Sequence, residues 1–264
     1  MSVPAVSKEG FYITEAHAPK LINVDLSSAT SIGEYAFANA KSLAELTLNP
    51  NGSVLDMGAF INAEALSKVE NLQAVTEIGA YAFANSILTE ADLSAAVKIG
   101  DLAFMKKEVA PLTVKLGTAL AELGDNPFAY CVVAPFFTTE TVTFNGQEYT
   151  KQNFTYQISE TVCVIDGNLY CKLPNGGLEM STYTGNSDEN VRIAEGTYRV
   201  SAYAFAGTGV KMVTVPYTVL TIGNKAFFDC ENLKKLTFNS YYAPVIEGSM
   251  SGEQIEITPE TVEQ

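Results

Sequence analysis

Apolar residues recur along this chain in two strings held in fixed phase. The first is a six-residue string closing on Phe, seen at Ile32-Gly33-Glu34-Tyr35-Ala36-Phe37 and again at 78–83, 99–104, 200–205 and 222–227. Two degenerate copies, Leu55 to Phe60 and Leu123 to Phe128, fit the same frame. The closing residues Phe37, Phe60, Phe83, Phe104, Phe128, Phe205 and Phe227 are separated by 23, 23, 21, 24, 77 and 22 residues. A period in the twenties marks a solenoid, because one repeat cannot bury its own apolar face and must stack on its neighbours. The seven rings are expected to form one buried stack.

The second string, L-x-x-L-x-L, begins six residues after Phe37 at Leu43-Ala44-Glu45-Leu46-Thr47-Leu48 and recurs from Leu21, Leu88, Val210 and Leu233. Alternation at its last two apolar positions is the pattern of a strand with one buried face. One coil is therefore predicted as a short strand, a turn, a compact loop or helical turn around x-x-Ala-Phe, and a return. Three places after each Phe stand Ala40, Ala63, Ser86, Lys107, Cys131, Thr208 and Cys230. Five of these seven are Ala, Ser or Cys, as a tight inward bend requires. Cys131 and Cys230 share one repeat position several coils apart, and read as buried free thiols rather than disulfide partners.

The combined motif I-G-x-x-A-F-x-x-C-x-x-L-x-x-L-x-L resembles the BspA-like leucine-rich repeats over residues 21–131 and 191–238. The resemblance implies a β-rich solenoid: a right-handed leucine-rich-repeat array of coils about 21–24 residues long with short helical turns, interrupted by a β-hairpin insert. The segment Ile165-Asp166-Gly167-Asn168-Leu169-Tyr170 resembles the x-D-G-x-L-Y interruption of that family, and 191–196 its re-entry. One repeat domain over 1–264 follows: an N-terminal cap at 1–20, repeats at 21–131, the insert at 132–190, repeats at 191–238, and a closing coil with acidic tail at 239–264. The degenerate second and fifth coils and Lys107 at a small-residue position are departures in local register.

Residues 132–190 break the period and read as β-rich on their own. Asn145-Gly146 between Val142-Thr143-Phe144 and Gln147-Glu148-Tyr149 is a two-residue hairpin signal. Asp166-Gly167 is a second turn. A three-residue loop there places Cys163 opposite Cys171, where a disulfide can form; a two-residue loop puts the thiols on opposite faces. Tyr149, Phe154 and Tyr156 are a candidate insert site, or simply the cover of a small insert core.

Composition narrows the function. With 16 Lys+Arg against 30 Asp+Glu, the net charge of −14 argues against nucleic acid, which requires clustered cations to displace counterions. No apolar run approaches a membrane span, so no membrane insertion is expected. The first twenty residues hold no continuous apolar stretch of the kind a secretory leader carries. The chain has one His, His17, and four dispersed Cys, with neither a nucleotide-binding nor a zinc-protease motif. No catalysis, metal or cofactor is therefore expected.

Stacked strands present outward the residue between the last two apolar positions: Asp25, Thr47, Asn71, Asp92, Lys115, Arg192, Thr214 and Thr237. Slightly earlier positions add Asn23, Glu45, Glu90, Lys211, Lys234 and Lys235, so the row reads acidic first and basic later. A flat polar row suits recognition of an extended partner rather than catalysis, which needs convergent desolvated groups. The family resemblance implies an extracellular or surface-anchored binding or adhesion module, monomeric, with a host or cell-surface protein as partner; no signal or lipid anchor is read in this sequence. A carbohydrate-active enzyme or accessory, and a passive scaffold of a larger surface protein, are the alternatives.

Overall fold

The computed structural model describes residues 21–134, 141–144, 147–150, 155–185, 190–240, 243–249 and 256–259, with the strands at 141–144, 147–150 and 256–259 given by their backbone alone. The chain divides into two compact units, Met1–Cys131 and Val132–Gln264. In the first, longer strands alternate with two-residue ones: β1 (Asn23–Asp25), β2 (Ser31–Ile32), β3 (Glu45–Thr47), β4 (Val54–Leu55), β5 (Lys68–Glu70), β6 (Glu77–Ile78), β7 (Glu90–Leu93), β8 (Lys98–Ile99), β9 (Ala110–Leu116) and β10 (Glu122–Leu123). All pairing among them is parallel. The two-residue strands form one ladder, β2-β4-β6-β8-β10, and the longer strands form β1-β3-β5 and β7-β9. This is the predicted parallel solenoid.

The predicted helical turn is absent. Among the described residues the one helical segment is a 3-10 turn at Leu72–Ala74. Around Ala-Phe the backbone N–H groups instead alternate in direction. Those of Tyr35, Phe37 and Asn39 donate to Met57, Ala59 and Ile61 of the next coil at 2.9, 2.8 and 2.8 Å. Those of Ala36, Ala38 and Ala40 donate three residues back, to Gly33, Tyr35 and Phe37. A helix would spend every N–H within its own coil and leave none to stack. The alternation uses left-handed backbone at two places in such a coil, with φ of 54° at Tyr35 and 61° at Asn39, and 59° at Tyr81 and 65° at Asn85; the shortened coil at 99–107 has one, Leu102. Such residues cost about 1 kcal/mol each, which the inter-coil bonds offset.

Inside the turns the Phe rings stack. Centroids of Phe37, Phe60, Phe83, Phe104 and Phe128 follow one another at 5.2, 5.5, 5.3 and 5.8 Å. All seven repeat Phe residues are buried, as expected. In the second unit Phe227, Phe205 and Tyr183 stack in turn at 4.9 and 5.0 Å, so an aromatic of the insert joins the repeat Phe residues.

The Ile-Gly glycine is set by contact rather than by conformation. A Cβ on Gly79 would lie 2.5 Å from the Asp56 carbonyl carbon, and one on Gly223 would lie 2.4 Å from the Ala202 nitrogen. Neither glycine has positive φ. Gly33, in the first described coil, would meet nothing within 4 Å.

The second unit opens differently. After β11 (Cys131–Ala134), β12 (Thr141–Phe144) and β13 (Gln147–Thr150) pair antiparallel with Phe144 opposite Gln147, as Asn-Gly predicts. An antiparallel run follows: β14 (Tyr156–Gln157), β15 (Val162–Ile165), β16 (Asn168–Lys172) and β17 (Leu178–Thr182). Ile165 faces Asn168 across a two-residue Asp166-Gly167 turn with φ of 49° and 76°, the signs of a type I′ hairpin. Cys163 therefore pairs with Tyr170, Cys171 points to the other face, and the two are not joined by a disulfide.

The remaining strands are β18 (Asn190–Arg192), β19 (Thr197–Val200), β20 (Met212–Val215), β21 (Thr221–Ile222), β22 (Lys235–Phe238), β23 (Val245–Ile246) and β24 (Glu256–Pro259). They build parallel ladders β17-β19-β21-β23 and β18-β20-β22-β24. Parallel stacking in this unit thus begins at β17, where Met180 aligns with Val200.

Candidate binding face

Strand register fixes which side chains point out together. In the first unit Asn23, Glu45 and Lys68 align across β1, β3 and β5, and so do Asp25, Thr47 and Glu70. Across β7 and β9, Glu90 aligns with Thr113 and Asp92 with Lys115. Asp25, Glu45, Glu90 and Lys115 are exposed, while Thr47 and Asp92 are half-buried. Apolar residues between them, Val24, Leu46, Ala91 and Val114, are buried. Asn71 is displaced from the row by one residue. It has left-handed backbone at φ 65°, begins the 3-10 turn, and its Nδ2 donates to the Leu48 carbonyl at 2.8 Å. Glu70 takes the outward place instead.

The first unit's row is less uniformly acidic than the sequence suggests. Lys68 pairs with Glu70 at 2.7 Å and Lys115 with Asp92 at 3.0 Å. The hydrogen bond from Lys68 lowers the Glu70 carboxyl, and the same bond, with the Glu70 and Glu45 charges, raises the Lys68 ammonium. A hydrogen bond with Ser27 lowers Asp25. Burial pulls Asp92 upward, yet its bonds with Ser94 and Lys115 leave it below the usual carboxylate value.

In the second unit Asn190, Met212, Lys235 and Glu256 form one row and Arg192, Thr214, Thr237 and Thr258 the next. Lys211 and Lys234 adjoin each other at the strand entrances, where the Lys234 N–H donates to the Lys211 carbonyl at 2.9 Å. Arg192, Lys211 and Lys234 are exposed, and Thr214 and Lys235 are half-buried. Thr237 is a correction: it is 8 % exposed, a short side chain sunk between neighbouring strands on both sides. Among the described residues no ion pair reaches Arg192, Lys234 or Lys235.

Of the insert candidates, Tyr156 is half-buried on β14, with its backbone opposite Val164. Tyr149 pairs its backbone with Val142, but its side chain, like Phe154 and His17, lies outside the described residues. Among the described residues no three His, Cys, Asp or Glu side chains are grouped to hold a metal ion. The thiols of Cys131 and Cys230 repeat one contact, facing the carbonyls of Phe104 and Phe205 at 3.5 and 3.0 Å. Burial pushes them up to about 12 and about 11, so they are inert packing groups.

Three features escaped the sequence reading. Asn62 Nδ2 donates to Asn39 Oδ1 at 2.9 Å and Asn85 Nδ2 to Asn62 Oδ1 at 2.7 Å, a side-chain ladder on the turn side. Its signal was an Asn two residues after each of the first three Phe. Tyr183, 22 residues before Phe205, carried the aromatic phase into the insert. Lys106 had no signal. Its buried ammonium donates to the carbonyls of Ser86 and Leu88 at 2.9 and 2.6 Å, while Lys107, at the small-residue position, turns out to pair with Glu64 at 2.7 Å.

The repeats match the family profile for the BspA type leucine rich repeat region, in six copies, over residues 14–134 and 178–256. Among curated proteins none matches. A leucine rich cell surface protein from Faecalibacterium prausnitzii A2-165 is similar in structure, at 23 % identity and TM-score 0.51, over 82 % of this chain and 60 % of that one. A leucine-rich repeat protein from Eubacterium ventriosum ATCC 27560 is similar at 18 % identity and TM-score 0.50, over 83 % and 60 %. The chain thus spans about three-fifths of either structure. With well over half of its residues in the matched repeats, the chain belongs to the BspA-type leucine-rich repeat family.

Proposed function

We propose that this chain is a non-enzymatic binding or adhesion module displayed at a bacterial cell surface, recognising a protein partner through its exposed strand faces. One observation carries the reading: polar side chains stand in register on a ladder whose alternate residues are locked in the core. Such a row is held at fixed spacing without cost to the fold, so a partner meets a preorganised set of contacts. Cell-surface display is supported by the family and by the similar cell surface protein of Faecalibacterium prausnitzii.

The test is direct binding. Immobilised full chain, exposed to a panel of purified host matrix and cell-surface proteins, should bind at least one saturably and reversibly. Surface labelling of intact cells producing the natural protein should detect it. Absence of binding across the panel, or a strictly internal location, refutes the reading. Excision of residues 140–158 separates the insert from the strand faces: loss of binding with that excision alone assigns recognition to Tyr149, Phe154 and Tyr156.

A further inference from the structure

We propose that the strand face of the Val132–Gln264 unit takes an acidic, extended protein segment carrying an apolar side chain. Arg192, Lys234 and Lys235 meet its carboxylates and Met212 meets its apolar group. The inference rests on the binding-module reading and narrows it to one face and one class of partner.

The two units differ in how their outward charges are used. In the first, the lysines of the strand face are already engaged, Lys68 with Glu70 and Lys115 with Asp92. A partner there must displace existing pairs. In the second, Arg192, Lys234 and Lys235 stand on the face with no ion pair among the described residues, in a chain of net charge −14. Exposed or half-buried cations on one face of a protein so rich in acids are placed for an outside anion. Carboxylates suit them, because Arg offers a planar bidentate fork and Lys a mobile point charge.

Met212 decides between classes of anion. It is 36 % exposed and shares a row with Lys235, on the strand that carries Thr214 and pairs with that of Arg192. A flexible thioether amid cations gives an apolar contact that adapts to a partner side chain. A peptide supplies both carboxylates and an apolar side chain. A sulfated polysaccharide supplies only anions and leaves Met212 without an apolar partner.

The probe is a fluorescent, Glu-rich peptide with a single Leu, titrated with full chain by anisotropy at several salt concentrations. The unaltered chain should bind it, more weakly as salt rises. Combined Arg192→Glu, Lys234→Glu and Lys235→Glu should weaken binding by about tenfold or more, because like charges now face each other. Lys234→Gln with Lys235→Gln, a milder pair, should weaken it by a smaller factor if the triple variant melts early. Met212→Ser should weaken binding with the salt dependence unchanged. Glu34→Gln with Glu77→Gln, exposed residues of the first unit outside the candidate row, should leave it unaltered. No binding by the unaltered chain, equal binding by both cation variants, or preference for heparin over the peptide overturns the proposal. A panel protein that still binds the triple variant with full affinity would also overturn it while leaving the binding-module reading intact. Silence across the whole panel would count against that broader reading instead.

Discussion

Phe83 and Asp92 belong to the same coil, yet one sits where three separate demands coincide and the other where only one applies. On the turn side, each backbone N–H is assigned either to its own coil or to the next, two residues of this coil hold left-handed backbone, and the Phe ring must stack on both neighbours. On the strand side the backbone bonds are satisfied by any side chain, and the outward residue needs only to avoid the core. The turn side therefore repeats nearly letter for letter, Ile-Gly-x-x-Ala-Phe, whereas the outward strand positions range over Asp, Thr, Glu, Lys and Arg. Freedom from folding demands is what leaves the strand face open to be shaped by a partner.

The contrast is most exposed to refutation at Phe83. Phe83→Ala removes a fully buried ring from the middle of the stack and should cost about 3–5 kcal/mol, read by denaturant unfolding. Next in size is a comparison of two glycines at one repeat position. Gly79→Ala forces a methyl against the backbone of Asp56 and Met57 and should cost about 1–3 kcal/mol. Gly33→Ala meets open space and should be neutral or stabilise by up to about 1 kcal/mol. Equal effects would mean that conformation, not stacking, selects the glycine. Asp56 and Ser201 stand at the same repeat position, so the fold accepts a side chain in some coils.

The same contrast explains what could be read from the sequence. Period, core and strand alternation were legible because Phe, Ile and Leu recur where burial demands them. The turn backbone was misread as helical because Ala-Phe with a following Ala carries helix propensity, and only the inter-coil bonding of Tyr35, Phe37 and Asn39 overrides it. Asn71 lies one residue past the outward place because the ladder pairs Glu70 with Thr47, and the next buried apolar residue is Leu72 rather than a residue two past Val69. On the face, residue identity and outward direction were legible, but charge pairing was not. Lys68 and Glu70 lie two apart and meet only because both point out of one strand. Lys106 was invisible: a buried ammonium satisfying two carbonyls in a shortened coil follows from three-dimensional accounting alone.

Alkaline stability separates turn from face by a third route. Buried in the turns, Cys131 ionises at about 12 rather than at the ordinary 9.0. Between those values the unfolded chain loses the proton first, so it binds fewer protons than the fold and stability falls as pH rises above about 9. One such thiol accounts for about 1.4 kcal/mol by pH 10. Cys230 and the buried Tyr170 act in the same direction, and Lys106, lowered by burial, acts against them. Unfolding at pH 8 and 10 should show a steeper loss for the unaltered chain than for Cys131→Ala. Equal slopes would show that the thiol is reachable by water.

The smallest effect is expected at the strand face, and its smallness is the point. Thr47 stands outward between Asp25 and Glu70, half-buried, and its hydroxyl donates to Glu70 at 3.3 Å. Thr47→Ala gives up that single long hydrogen bond between solvated groups, and no buried atom loses a partner. Stability should change by less than about 0.5 kcal/mol. Its strand neighbour Leu46, one residue earlier and 1 % exposed, faces the core, where Leu46→Ala should cost about 2–5 kcal/mol. Measured side by side, the two substitutions test whether adjacent residues on one strand answer to opposite demands. If Thr47→Ala costs more than 1 kcal/mol, the outward row is part of the scaffold and is not free for recognition.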